Sequence, residues 1–318
     1  MGTLYIDRKD YHVKLDGKTI CFYNNGKKVG MVPLEPLKRV IFVGNLTVDT
    51  SVLRKLADMG ISAIFLTGRR LRFSGMLHGP FHNNGLLRVM QYEKSRSDFA
   101  RVYSQEIVLR KIKSQVEFIK ELIEIDTKHR FIFTMKLKTM NKILEKLEMG
   151  TFDIDSLKGL EGSATSTYFS VYTKLFNKSL NFNSRTRRPP LDPVNAMLSL
   201  CYTLVHFEIV RELEVIGLDP IIGFYHQFEY GRESLACDLL ELFRLEIDRF
   251  VLQLFTTKEM TKEKFSEDKE NGGFYLKKEN RERFYFIYED WAKNMRSFFR
   301  EEVRDLARRI NNGKDIIY

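Results

Sequence analysis

The hydrophobic period changes once along this chain, near residue 86, and a chain with two periods folds as two differently built parts. Before the change, the runs TLYIDR, YHVKLDG, KTICFYNNGKKVGMVPL and RVIFVG are short and rich in Val, Ile, Tyr and Phe. Such side chains suit a pleated, half-buried surface and predict strands. Asp16-Gly17 and Asn24-Asn25-Gly26 tolerate the positive φ that a tight hairpin needs. VDTSVLRKLADMG then reads as a short helix with Thr50 or Ser51 as N-cap and Gly60 as C-cap. ISAIFLTG follows as a buried strand.

From about Leu86 the apolar residues recur at helical spacing. LLRVMQYEKSRSDFARVYSQEIVLRKIKSQVEFIKELIEI is a long, charged amphipathic stretch with Glu/Lys pairs at i,i+4. A further helix is expected over roughly 131–148, ending at a glycine, and another from RERFYFIYEDW to the end of LARRI. Residues 265–284 read as a surface hairpin around Asn271-Gly272-Gly273. The fold class is therefore α+β: a small, mostly β N-terminal domain over 1–85, then a larger all-α domain over 86–318. The Gly/Asn/His-rich patch GMLHGPFHNNG marks the boundary. Its histidines, His78 and His82, have no nearby carboxylate and read as incidental rather than as metal ligands.

The net charge of +10 favours an anionic partner, nucleic acid being the usual one, against a basic surface kept for solubility. That charge is uneven. Residues 1–88 hold 14 Lys+Arg against 6 Asp+Glu, and the rest hold 38 against 36. The three cysteines, Cys21, Cys201 and Cys237, make no CxxC or zinc spacing and read as reduced thiols of a cytoplasmic protein. The charged, alternating N-terminus carries no apolar signal-peptide core, and no run approaches the roughly 18 apolar residues of a membrane helix.

Three stretches of the helical part carry chemistry. In KGLEGSATSTYFSVY, Glu161 lies between glycine-flanked turns at the expected start of a helix; it is either a helix-dipole partner or a functional acid. In FNSRTRRPPLDPVNAMLSLCYTLVHFEIVREL, Arg185, Arg187 and Arg188 precede a helix opened by Asp192 as N-cap and Pro193 at the first position. Guanidinium forks before a helix N-terminus suit phosphates; a solvated loop is the alternative. Asn195, Ser199 and His206 on that helix read as satisfied core polar groups. In GFYHQFEYGRESLACDLLELFR, Asp238, Glu241 and Arg244 stand at i,i+3 spacing on a helix apolar around most of its circumference. A buried carboxylate needs a cation or hydrogen bonds. Arg244 offers an internal ion pair, and His226 on the preceding loop offers half of a Mg²⁺ or Mn²⁺ site.

Together these blocks resemble the CRISPR adaptation integrase, the endonuclease/integrase subunit of spacer acquisition. The matching segments are GLEGSATSTYF, RTRRPPLDPVNAMLS, GLDPIIGFYH and SLACDLLELFR, with looser agreement in LTVDTSVLRKLADMGISAIFLTGRRLRFSGML. The resemblance implies a β domain that forms a homodimer and an α-helical catalytic domain. It implies a divalent metal, Mg²⁺ or Mn²⁺, held by Glu161, His226 and Glu241, with Asp238 as a supporting acid. Arg185, Arg187, Arg188 and Arg244 would contact double-stranded DNA. A small ferredoxin-fold adaptation subunit would be the partner, and the reaction would join 3′-OH ends of short DNA fragments into a repeat by transesterification. Two departures stand out: Ser166 and Thr167 occupy positions where many members have an arginine, and the third ligand is Glu where some members have Asp. Two rival readings are a stand-alone metal-dependent nuclease on branched DNA or RNA and a catalytically silent DNA-binding scaffold.

Overall fold

The computed structural model describes residues 2–77, 79, 84–226 and 230–312. They form two compact units, Met1–Asn83 with Lys278–Lys293, and Asn84–Lys277 with Asn294–Tyr318. The α+β class expected from the sequence is present, strand-rich first and helical after. A cut at residue 85 misses one thing: residues 278–293 belong with the first unit.

The first unit contains β1 (Thr3–Ile6), β2 (Tyr11–Asp16), β3 (Thr19–Asn24), β4 (Lys27–Pro33), β5 (Arg39–Val43), β6 (Thr47–Val48), α1 (Thr50–Asp58), β7 (Ser62–Leu66) and β8 (Phe73–Leu77). One sheet has the order β4-β3-β2-β6 and the other β1-β5-β7-β8. The hairpins turn at Gly17 and Gly26, both at positive φ, as the Asp-Gly and Asn-Gly signals require. Asp49, not Thr50 or Ser51, holds the N-cap of α1, and its carboxylate pairs with His12 Nε2 at 2.6 Å. Val52 and Leu56, one turn apart, enter a core with Val13, Ile20, Leu34 and Val40. The 278–293 segment is anchored by Tyr5 stacking on Tyr285 at 4.1 Å, and by Arg281 donating to Asp7 and to the carbonyls of Gly68 and Arg69.

The second unit contains α2 (Gly85–Ser95), α3 (Asp98–Ile125), α4 (Arg130–Met149), α5 (Ile154–Tyr172), α6 (Pro193–Ile216), α7 (Ser234–Leu242), α8 (Arg244–Thr256), the hairpin β9 (Phe265–Glu267) and β10 (Phe274–Leu276), and the later part of α9 (Lys278–Ile310). The long amphipathic stretch is two helices, because Ser97 accepts from Phe99 N and starts a new one. His78 and His82 lie outside the described residues.

Helix α6 is buried along most of its length. Asp192 Oδ1 accepts from Asn195 N at 2.8 Å, Pro193 opens the helix, and Gly217 at φ 93° ends it. By length and apolar content α6 passes the test for a membrane span, contrary to the expectation that no run does, but 83% of its apolar window is buried inside the protein. Its buried acids are paired within the unit: Glu208 with Arg296 at 2.7 Å, and Glu212 with Arg211 at 2.6 Å. Asp192→Ala removes both the cap and one of the two acceptors of Asn195 Nδ2. It is expected to destabilise the helical unit by about 1–2 kcal/mol, read as a lower urea midpoint by far-UV circular dichroism.

Candidate active site

The site is built on α3, α5, α7 and the loop before α7, all in the second unit. Its base is Asp238, fully buried in α7. Asp238 Oδ2 accepts from Phe224 N at 2.6 Å and Tyr225 N at 3.0 Å; Oδ1 accepts from His226 N and His226 Nδ1, each at 2.8 Å. Four N–H donors on one carboxylate replace its lost hydration. They also wrap the loop tightly around it. A Cβ on Gly223 would meet Ser234 C at 2.8 Å and Asp238 Oδ2 at 2.9 Å, so only glycine fits there.

This arrangement sets the tautomer of His226. Its Nδ1 faces a carboxylate and carries hydrogen, which leaves the Nε2 lone pair free in the neutral ring. Nε2 lies 3.9 Å from Glu241 Oε1. A carboxylate behind a histidine is the arrangement that orients imidazole toward a metal. Asp238 thus acts on the site through His226.

Glu241 is 4% exposed and is compensated by charge rather than by dipoles. Arg244 Nε donates to its Oε2 at 2.6 Å and Nη2 to Oε1 at 2.7 Å, the bidentate fork expected at i,i+3. Lys111 Nζ donates to Glu241 Oε2 at 2.6 Å and also to Glu161 Oε1, which accepts from Thr165 Oγ1 at 2.7 Å as well. Burial opposes ionisation of Glu241, yet the Arg244 guanidinium and the Lys111 ammonium hold its carboxyl well below the usual carboxylate range.

Glu161 lies in the middle of α5, not at its start. Asp153 caps that helix through Ser156 N at 2.7 Å, and Gly159 and Gly162 are helical. The helix-dipole reading of Glu161 therefore fails, because the dipole acts within the first turn. Lys111 links Glu161 to Glu241, and His226 Nε2 lies 3.9 Å from Glu241, with Asp238 bonded to the other ring nitrogen of the histidine.

The arginines divide. Arg187 and Arg188 are exposed. Arg185 turns inward instead: its guanidinium donates to Asn195 Oδ1 at 2.9 Å, to Ser199 Oγ at 3.1 Å and to the Thr186 carbonyl. Asn195 and Ser199 are satisfied by this contact, and His206 by Glu233 at 3.3 Å. Arg244 is likewise committed to Glu241 and lies 4.9 Å over the Tyr202 ring.

Lys111 and the network behind Arg244 escaped the sequence reading. Tyr202 donates to Asp248 Oδ1, Tyr168 to Asp248 Oδ2 at 3.0 Å, and Tyr172 to the Asp248 carbonyl at 2.8 Å. Lys111 carried one signal: it interrupts the buried stripe Ser104, Ile107, Val108, Ile112, Gln115 of α3. A cation on a buried stripe needs an acid from elsewhere.

Whether a divalent cation fits is decided by the donor set. Two carboxylates and a neutral imidazole nitrogen suit Mg²⁺ or Mn²⁺, the nitrogen favouring Mn²⁺. Among the described residues no three His, Cys, Asp or Glu side chains are grouped as for a metal, and Lys111 bridges Glu161 and Glu241. The ammonium stands where a cation between those acids would stand. The residues therefore fit a divalent ion, provided Lys111 gives way.

A buried acid–histidine cluster in a helical unit, joined to a β-rich unit, is the class of protein that fold and site define. The chain belongs to the Cas1 family: the profile described as CRISPR associated protein Cas1 matches residues 4–290. The CRISPR-associated endonuclease Cas1 1 of Thermodesulfovibrio yellowstonii is 54% identical over 317 residues, 100% of this chain and 99% of that one. Among solved structures, a casposase bound to integration product shares the fold at TM-score 0.83 and 19% identity, over 99% of this chain and 92% of that one. A chain of a Cas6-RT-Cas1–Cas2 complex shares it at TM-score 0.82 and 24% identity, over 99% of this chain and 36% of that one.

Buried Asp248 gives the site a pH signature. Burial raises its carboxyl to about 6, against the opposing hydrogen bonds from Tyr202 and Tyr168 and the nearby Arg244 and Arg185. A raised folded-state value contributes stability that is present below the unfolded value near 3.9 and lost as pH rises through about 6. Asp248→Asn removes that loss. Relative to wild type, its stability is expected to rise by up to about 3 kcal/mol between pH 4 and 7, read as diverging melting temperatures.

Proposed function

We propose that this chain is a metal-dependent DNA endonuclease and integrase of CRISPR adaptation, joining 3′-OH ends of short DNA fragments into a repeat. The observation that carries the reading is the pair Glu161 and Glu241 bridged by Lys111, with His226 Nε2 3.9 Å from Glu241 and its Nδ1 held by Asp238. The endonuclease name of the 54% identical relative supports the nuclease activity, and the casposase with its integration product supports joining.

Glu161, Glu241 and His226 Nε2 would hold the ion, Mn²⁺ or Mg²⁺. When bound, the ion supplies Lewis-acid polarisation of a phosphoryl oxygen. Asp238, bonded to Nδ1, orients the ring so that Nε2 faces the site, and Arg244 keeps the Glu241 carboxylate turned into the site. Exposed Arg187 and Arg188 would hold phosphates flanking the reacting bond. A 3′-oxygen attacks phosphorus, one P–O bond forms and one breaks, and the proton of the attacking hydroxyl passes through solvent to the departing 3′-oxygen. No covalent link to the protein is needed. With water as the nucleophile the same residues would make a stand-alone nuclease, the reading that the relative's name also admits.

Double-stranded DNA, a second copy of this chain and a small ferredoxin-fold adaptation subunit are the proposed partners. The last is supported by the Cas1–Cas2 complex that shares the fold. The basic balance of residues 1–88 suits a phosphate-rich partner.

The deciding assay incubates the chain and its small partner with a labelled 3′-OH duplex and a supercoiled plasmid carrying a repeat, in Mn²⁺ or EDTA. Label joined to plasmid is expected only with metal and with Glu241; Glu241→Ala should lose at least about 100-fold in rate. Cleavage without joining would establish the nuclease instead, and DNA binding alone, unchanged in the variant, would leave only a scaffold. Arg187→Ala with Arg188→Ala should lower the slope of log affinity against log salt by about 2, measured by fluorescence anisotropy on a duplex.

A further inference from the structure

Lys111 is 3% exposed on α3 and sends its ammonium between Glu161 and Glu241, carboxylates contributed by two other helices. Two acids on converging helices repel each other when no cation lies between them. The two oxygens that Lys111 engages belong to the same two carboxylates that a divalent ion would need. An ammonium and a divalent cation cannot share them, because like charges a few ångströms apart in a buried site repel strongly.

Two cations serve Glu241, and the geometry tells which one can leave. Arg244 stands one turn along from Glu241, grips both of its oxygens and lies over the Tyr202 ring, whose hydroxyl is fixed by Asp248. Its planar fork is pinned on two sides. Lys111 arrives from a different helix on a flexible four-carbon stem. The contacts of Arg244 with Glu241 and Tyr202 do not involve Lys111.

Resting on the metal-site reading above, we propose that Lys111 is a resident counter-cation: it neutralises Glu161 and Glu241 in the metal-free chain and competes with the divalent ion for them. Metal uptake is then coupled to departure of the Lys111 side chain. The metal-free protein keeps its helices together, and the ion binds less tightly than its three ligands alone would allow.

The test is Mn²⁺ binding to the full chain, followed by loss of the free-ion EPR signal, with melting temperatures of the same samples in EDTA. Wild type is expected to bind Mn²⁺ and Glu241→Gln to lose it. Lys111→Met is expected to bind about tenfold more tightly or better and to melt lower in EDTA, where Glu161 and Glu241 face each other uncompensated. Lys111→Gln, shorter and also uncharged, should shift both readouts the same way, so a folding defect in one variant leaves the other to decide. Equal or weaker Mn²⁺ binding by a folded Lys111 variant, with wild type binding normally, overturns the counter-cation role while leaving the metal site standing. An unchanged melting temperature in EDTA overturns it as well. Absence of Mn²⁺ binding by wild type overturns both the role and the metal-site reading.

Discussion

The helical unit depends on how two buried carboxylates of α7 are compensated. Asp238 and Glu241 sit one turn apart in a helix whose other residues are mostly core. Left alone, either would unfold its surroundings or lose its charge. The protein solves the two cases differently. Asp238 is satisfied by four N–H groups of one loop, a solution that cannot be exchanged without unmaking the loop. Glu241 is satisfied by two side-chain cations, one of them on a flexible stem. The first solution builds geometry; the second, on the counter-cation proposal, would leave a position where one cation can replace another.

Behind these acids a buried polar network fixes the helices that carry them. Asp248 of α8 accepts from Tyr168 of α5 and Tyr202 of α6, and its carbonyl accepts from Tyr172 of α5. Tyr202 also supports Arg244 through its ring. Helix α5, which carries Glu161, and Arg244, which grips Glu241, are therefore tied to one network. A ligand site needs its donors placed to within a fraction of an ångström, and locked supporting contacts supply that. Burial raises the Asp248 carboxyl, and the Tyr202 and Tyr168 hydroxyls with the nearby Arg244 and Arg185 offset that rise only in part.

Much of this was legible in the sequence because it rests on local rules. The period change separates strands from helices, and Asp192-Pro193 through Gly217 mark the ends of α6. Glu161, His226, Asp238 and Glu241 stood out through block motifs whose order along the chain matches a family. What was missed involves distant partners. Nothing within a turn of Lys111 says that its ammonium lies between acids 50 and 130 residues away. Nothing near Asp248 names three tyrosines from two other helices. Glu161 was misplaced on its helix because Gly159 and Gly162 look like turn residues, and tertiary packing carries α5 through them.

The arginine triplet shows the same limit at a single loop. Read as a string, Arg185, Arg187 and Arg188 are three equivalent guanidinium groups before a helix N-terminus. In the fold, Asn195 accepts from both Arg185 and the Thr186 amide while its own amide donates to the Ser184 carbonyl and to Asp192. Arg185 is thus part of the clasp that ties the loop to the first turns of α6. Arg187 and Arg188, two and three residues on, are displayed by it. Under the proposed DNA contact, fixing one arginine inward would lower the entropy that the other two lose on meeting a phosphate, so the buried member would aid anion binding without touching the anion.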